Sequence, residues 1–139
     1  MFTLHPQLQH DCVELGYLDL CAVLLMNDAN YPWLILVPRR ENITEIFQLE
    51  PADQLLLHEE SILLSRVLHT TFKADKLNIA ALGNIVPQLH VHHIVRYRND
   101  MAWPSPVWGK CPALPYSVLK RQKIIITLHE MLGTRLKHV

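Results

Sequence analysis

The stretch Val-Pro-Gln-Leu-His-Val-His-His-Ile-Val-Arg at residues 86–96 carries three of the chain's nine histidines within four positions. Its alternating residues predict an extended strand, in which neighbouring side chains point to opposite faces of a sheet. Gln88, His90 and His92 would then share one face, and His93 would lie on the other. Because buried imidazoles and amides each need a hydrogen-bonding partner, this polar row indicates a functional site rather than core filling.

Apolar runs and turn formers predict further strands around this stretch. Residues 19–26 and 33–37 are apolar runs separated by a loop rich in turn formers, which predicts an antiparallel hairpin. Residues 76–82 predict a strand that pairs with the histidine strand across a turn at Gly83-Asn84. The sequence therefore predicts a largely antiparallel sheet.

Helices are predicted on either side of these strands. Residues 50–72 begin with Glu-Pro-Ala-Asp and continue with a broad apolar stripe, which is typical of a helix lying on a sheet. Residues 101–115 are rich in tryptophan and proline and predict an extended loop, followed by a C-terminal helix over residues 117–132. Before residue 19 the pattern predicts only a short helix beginning at Pro6.

Composition limits the function classes. The 139 residues are half apolar and contain 13 basic and 13 acidic residues, which predicts one domain over residues 1–139 and neither a nucleic-acid partner nor a membrane anchor. No apolar run approaches the roughly 18 residues of a membrane span. Three cysteines without a Cys-x-x-Cys spacing favour a reduced protein in the cytoplasm.

Two neutral imidazoles at positions i and i+2 of one strand lie side by side, close enough for one to attack a bound group while the other orients it. Attack by an imidazole nitrogen on phosphorus would form a covalent intermediate and divide one difficult displacement into two easier ones. Two alternatives remain at this point. His90 and His92 could be satisfied sheet histidines, or they could chelate zinc if a third protein ligand were present.

The segment Gln88-Leu-His90-Val-His92-His-Ile94 resembles the signature of the histidine triad (HIT) superfamily of nucleotidyl hydrolases and transferases, in which three histidines alternate with apolar residues. The resemblance extends from about Leu20 to Arg96 and includes the hairpin end Leu36-Val37-Pro38 and the turn Gly83-Asn84. It implies that His90 is the nucleophile on the α-phosphate of a nucleotide and that His92 is the third triad residue. Gln88 takes the place of the first histidine, and a glutamine cannot titrate. We expect Gln88 to belong to the catalytic site and, together with His92 and Asn84, to position the phosphate and the leaving group.

The resemblance further implies that Asn84 lies near the phosphate and that Asn27 holds the ribose hydroxyls. The implied fold is α+β, an antiparallel sheet of about five strands with a packing helix and the C-terminal helix, paired as a homodimer. The tryptophans of the 101–115 loop are either packing anchors or platforms that stack on a base.

The implied activity is hydrolysis of a dinucleoside polyphosphate, such as diadenosine tetraphosphate, or of a nucleoside phosphoramidate. It would proceed through a nucleotidyl-histidine and would use neither a cofactor nor a metal. The alternatives are a nucleotide sensor without turnover, and a metal-dependent hydrolase with His90 and His92 as ligands.

Overall fold

Five strands form one antiparallel sheet in the computed structural model, which describes residues 1–138. In chain order they are β1 (Cys12–Tyr17), β2 (Cys21–Met26), β3 (Trp33–Pro38), β4 (Lys76–Ala80) and β5 (Val91–Arg96). Their spatial order is β1-β2-β3-β5-β4, so β4 lies at an edge and β5 lies between β3 and β4. The predicted hairpin, β2 with β3, and the predicted pairing of β4 with β5 are both confirmed.

Three helices accompany the sheet: α1 (Pro6–Asp11), α2 (Pro51–Phe72) and α3 (Val118–Leu132). The hydroxyl of Ser117 accepts a hydrogen bond from the N–H of Lys120 and so caps the start of α3. Single 3-10 turns occur at Ile46–Gln48 and Gly133–Arg135. The predicted α+β class, an antiparallel sheet of about five strands with a packing helix and a C-terminal helix, is therefore confirmed.

The alternation of side chains divides the core between two faces of the sheet. On the helix-covered face, leucines of α2 and α3 pack on one set of strand residues, including Val23, Leu34, Leu36, Val91 and Val95. On the loop-covered face, Leu4 and Leu8 of the N-terminal segment and Ala102 and Val107 of the 101–115 loop pack on the other set, including Leu24, Trp33, Ile35 and Ile94.

A buried arginine holds the 101–115 loop against its face. Arg96 is only 1% exposed, and its guanidinium donates hydrogen bonds to both carboxylate oxygens of Asp100, at 2.9 and 3.1 Å. It also donates to the carbonyl of Ser105 at 2.8 Å. Burial alone would raise the pKa of the Asp100 carboxyl, but hydrogen bonds from Arg96 and from nearby backbone N–H groups hold that pKa below its usual range.

Strand β1 was not predicted by the sequence pattern. Its register shifts between Glu14 and Gly16, and Tyr17 pairs with Lys137 of the C-terminal segment. Gly16 has a φ of +149°, and a Cβ there would overlap the carbonyl oxygen of Lys137. The irregular register and the glycine together conceal the period-2 pattern of this strand.

Strand β5 is shorter than the predicted histidine strand, because it begins at Val91. Its neighbour β4 ends at Ala80, which pairs with His92, so the residues before β5 have no partner in β4. Pro87 has no N–H to give to a ladder, and the N–H of Leu89 donates to the carbonyl of Ile43 instead. The prediction of one continuous strand carrying Gln88, His90 and His92 is therefore wrong.

Across residues 1–138, no helix has the length and apolar character needed to span a membrane. Cys12, Cys21 and Cys111 are all free thiols.

Candidate functional site

His92 projects from β5 onto the loop-covered face, with Ile35 and Ala80 as its partners on the flanking strands. The residue is 5% exposed, and the indole Nε1–H of Trp33 donates a hydrogen bond to its Nδ1 at 2.9 Å. Because an indole N–H is only a donor, Nδ1 of His92 must accept. In the neutral ring the proton is therefore on Nε2.

The neutral form of His92 is strongly favoured. Burial, and to a smaller extent the neighbouring imidazoles of His90 and His93, lower the pKa of His92 to about 3. Near neutral pH the ring therefore offers a hydrogen-bond donor at Nε2 rather than a positive charge.

His90 has the opposite arrangement of donor and acceptor. It lies just before β5, is 6% exposed, and places its Nδ1 2.7 Å from the backbone carbonyl oxygen of Gln88. Because a carbonyl oxygen only accepts, Nδ1 of His90 carries the proton and Nε2 keeps its lone pair. The ring centroids of His90 and His92 lie 4.9 Å apart, so a ring with a free lone pair is next to a ring with a free donor.

Two clefts meet at His90, and both are lined by Leu82, Gly83, Asn84 and His90. The α1 cleft, of about 380 Å³, also includes Gln7 and Asp11 of α1, together with His92 and Trp108. The Glu45 cleft, of about 330 Å³, also includes Thr44 and Glu45. A reacting group beside His90 would therefore have space on either side.

Of the predicted site residues, Asn84, His90 and His92 come together at the clefts. Gln88 does not present its side chain there, because its amide accepts from the N–H of His5 and donates to the carbonyl of Thr3, both at 2.9 Å. The contact of Gln88 with the site is through its backbone carbonyl, which holds His90. Its side chain instead fixes the N-terminal segment to the stretch just before β5.

Asn27 also lies outside the lining of both clefts. Its side-chain oxygen accepts a hydrogen bond from the N–H of Tyr116 at 3.0 Å, so Asn27 joins the end of β2 to the segment that leads into α3. Trp108 lies edge-on to His92, with 5.1 Å between ring centroids, whereas Trp103 packs against Arg96. Of the two tryptophans, Trp108 is the one at the site.

Trp33 is one of three site residues that the sequence pattern did not reveal. A signal was available in the register, since Ile35 pairs with His92 and alternation puts Trp33 on the same face. That signal required knowing that β3 lies beside β5, which the chain order alone does not give. Asp11 and Glu45 were missed for the same reason, because each reaches the site from a distant segment.

Each of the two imidazoles has one ring nitrogen already engaged by the protein. Within residues 1–138 there is no group of three His, Cys, Asp or Glu side chains placed to hold a metal ion. Nε2 of His90 and Nε2 of His92 are the atoms left to meet a ligand.

These features define a small antiparallel α+β protein with a histidine-based site on the loop-covered face of its sheet. The HIT domain family matches residues 7–99, and the chain belongs to that family. HIT proteins bind nucleotide ligands, and many of them are hydrolases or transferases.

Solved structures agree with this assignment. A histidine triad protein from Marinobacter aquaeolei VT8 is 51% identical, with a TM-score of 0.93 over 95% of this chain and 96% of the other. One from Bradyrhizobium japonicum is 47% identical, with a TM-score of 0.93 over 95% and 98%. One from Sinorhizobium meliloti 1021 is 45% identical, with a TM-score of 0.92 over 95% and 98%. No curated protein sequence matches the chain.

Proposed function

We propose that this HIT protein is a nucleotidyl hydrolase in which Nε2 of His90 attacks the α-phosphate of a bound nucleotide. The N–P bond forms as the bond from phosphorus to the leaving group breaks, and the leaving group keeps the electron pair of that bond and takes up a proton from solvent. Water then attacks the same phosphorus, the N–P bond breaks, and a nucleoside monophosphate is released. The observation that carries the proposal is the pair of buried imidazoles in opposite tautomers, 4.9 Å apart, beside two clefts.

The backbone supports His90 as the nucleophile. When Nε2 bonds to phosphorus, positive charge develops on the ring, and the Nδ1–H already donates to the carbonyl of Gln88 at 2.7 Å. This contact orients the lone pair and stabilises the developing charge without further rearrangement. The contribution of Gln88 is therefore its carbonyl group.

His92 and Asn84 would hold the phosphate. A neutral His92 with its proton on Nε2 donates a hydrogen bond to a phosphoryl oxygen, and the amide of Asn84 can donate another from the wall shared by both clefts. Asn27 keeps a supporting role in this proposal, because its oxygen is occupied by the N–H of Tyr116.

The charges around His90 favour one of the two substrate classes. Among the residues described, the lining of the α1 cleft includes the acid Asp11 and that of the Glu45 cleft includes Glu45, and neither lining includes lysine or arginine. A tetraphosphate chain would place several negative charges against these walls without a cation. A nucleoside phosphoramidate carries less charge, so it is the favoured substrate, with diadenosine tetraphosphate the poorer one.

The test compares wild type with His90→Ala on adenosine phosphoramidate and on diadenosine tetraphosphate. Wild type should turn over the phosphoramidate with the higher kcat/KM, and acid quenching should trap an adenylylated protein visible by mass spectrometry. His90→Ala should lose at least about 10³-fold in kcat and show no adduct, as expected when a nucleophile is removed. Full activity of His90→Ala would refute the mechanism, and binding without product in wild type would identify a nucleotide sensor.

We also propose that the chain pairs as a homodimer. The outer edge of β4 has no partner strand in the described chain, and apolar side chains are exposed there and just beyond it, with Ile79 49% and Ile85 88% exposed. An unprotected apolar edge of this kind is suited to pairing with a second copy. Light scattering after size exclusion should give twice the chain mass for wild type and the single mass for Ile79→Lys.

The three free thiols fit the reduced cytoplasm, which we propose as the location of this protein.

A further inference from the structure

The indole of Trp33 is held rigidly at the site. Trp33 lies on β3 opposite Ile94 and is almost completely buried. Its ring makes edge contacts with Tyr31, with centroids 6.4 Å apart, and with Trp108, with centroids 5.9 Å apart. The indole N–H therefore keeps one direction, toward Nδ1 of His92.

A neutral imidazole has two tautomers, and they present opposite groups at Nε2. The Nδ1–H tautomer of His92 would set its own N–H against the N–H of Trp33 and leave two buried donors without an acceptor. It would also turn a lone pair toward the cleft, where it would repel a phosphoryl oxygen. The Nε2–H tautomer satisfies Trp33 and presents a donor.

We infer that Trp33 is a positioning residue whose indole N–H holds His92 as the Nε2–H tautomer, so that a donor stands beside the lone pair of His90. The effect on turnover rests on the proposed function. The tautomer of His92 does not, because it follows from the contact with Trp33 alone.

Trp33→Phe tests the inference, since it keeps an aromatic ring between Tyr31 and Trp108 but removes the N–H. The matched control is Trp108→Phe, which alters a second ring packed edge-on against His92 that makes no hydrogen bond to it in the described structure. In both variants the imidazole nitrogens of His92 are observed by long-range proton–nitrogen NMR, assigned with His92→Gln. Trp108→Phe is a control for the tautomer only, and the kinetic constants on adenosine phosphoramidate are compared between wild type and Trp33→Phe.

Wild type and Trp108→Phe should both show a protonated Nε2 and an unprotonated Nδ1 at His92. Trp33→Phe should show a mixture of tautomers, and its kcat should fall about 10- to 100-fold with little change in KM, because the lost contact acts in the transition state. In wild type, a through-hydrogen-bond coupling between Nε1 of Trp33 and Nδ1 of His92 is expected. This coupling is measured on wild type alone, so it does not depend on whether a variant folds.

An Nδ1–H tautomer in wild type, absence of the coupling, or an unchanged tautomer in Trp33→Phe overturns the inference. A changed tautomer with unchanged kcat overturns the positioning role. If wild type turns over no nucleotide, the proposed function fails, while the NMR signals still decide whether Trp33 sets the tautomer of His92.

Discussion

The helix-covered face and the loop-covered face of the sheet each receive one of two adjacent histidines, His93 and His92. On the helix-covered face both ring nitrogens of His93 have protein partners, with Nε2 2.7 Å from the Ser61 hydroxyl and Nδ1 3.1 Å from the Val91 carbonyl oxygen. On the loop-covered face His92 is engaged at Nδ1 only, and its ring lines the α1 cleft. Both residues are buried, His92 at 5% and His93 at 0% exposed, so burial does not distinguish a structural histidine from a functional one. A free ring nitrogen beside a cleft does.

The two faces differ because of what covers them. On one face, long helices place continuous rows of leucine against the strands, which closes the space above His93. The other face is covered by the short helix α1 and an irregular loop, and such segments leave gaps between them. The site therefore lies where the covering is least regular.

The largest expected effect concerns the attachment of the loop to its face. Asp100→Ala leaves the guanidinium of Arg96 buried without its carboxylate, which should lower the free energy of unfolding by about 3–5 kcal/mol. Asp53→Ala is the control, because its partner Arg40 is 45% exposed and the loss should stay below about 1 kcal/mol. Urea denaturation measures both, and equal losses would show that Arg96 and Asp100 do not anchor this face.

The next effect separates the two histidines. His92→Ala removes one hydrogen-bond donor to the phosphoryl group and should lower kcat about 10²–10³-fold. His93→Ala should leave kcat close to wild type but destabilise the fold by about 1–3 kcal/mol, because the Ser61 hydroxyl and the Val91 carbonyl lose their partner. Steady-state kinetics measures kcat, and urea denaturation measures the free energy of unfolding, for both variants. An equal loss of kcat in both variants would contradict the assignment of function to one face.

Most of the fold could be predicted from the sequence, because local signals agreed with the final structure. Residues close together in sequence set each of these elements. They give the apolar stripe and the first-turn proline of α2, the serine cap of α3, and the turn-rich loop between β2 and β3. Strand β1 could not be predicted, since its glycine and irregular register serve a contact with Lys137 at the other end of the chain.

The candidate site was predicted only in part, because some of its contacts join residues that are distant in the sequence. His90 and His92 were singled out by their spacing within one short segment, whereas Asn84 was singled out only by the resemblance to the HIT family. Trp33 reaches His92 across a strand pairing, and the Gln88 amide is taken by residues 3 and 5, so neither role has a local signature.

For each pH unit, a smaller effect is expected from the protonation of the two histidines. Burial lowers the pKa of His93 to about 4, and the pKa of His92 is about 3, against an ordinary value of 6.5. As pH falls below about 6.5, the unfolded chain takes up protons at these residues and the folded chain does not. The free energy of unfolding should therefore have its full value above about pH 6.5. Between this pH and about pH 4 it should fall by about 1.4 kcal/mol per pH unit for each histidine.

Urea denaturation at pH 7, 6 and 5 measures this slope. His92→Ala and His93→Ala should each lower this slope by the contribution of one histidine. The difference from wild type separates the two imidazoles from carboxylates that take up protons in the same pH range. If the variants kept the wild-type slope, these rings would take up protons in the folded chain over the same pH range as in the unfolded chain.

The smallest effect is expected at Gln88, where the sequence departs from three alternating histidines. Gln88→Ala removes two hydrogen bonds to the N-terminal segment, each worth about 1 kcal/mol, and should lower the free energy of unfolding by that order. Its kcat should stay close to wild type, because the backbone carbonyl that orients His90 remains. Gln88→His should give no gain in kcat, since the position faces Thr3 and His5 rather than the phosphate. If either variant changes kcat as strongly as His92→Ala, the side chain at position 88 acts on the substrate, and the loop-covered face then uses three residues of the motif instead of two.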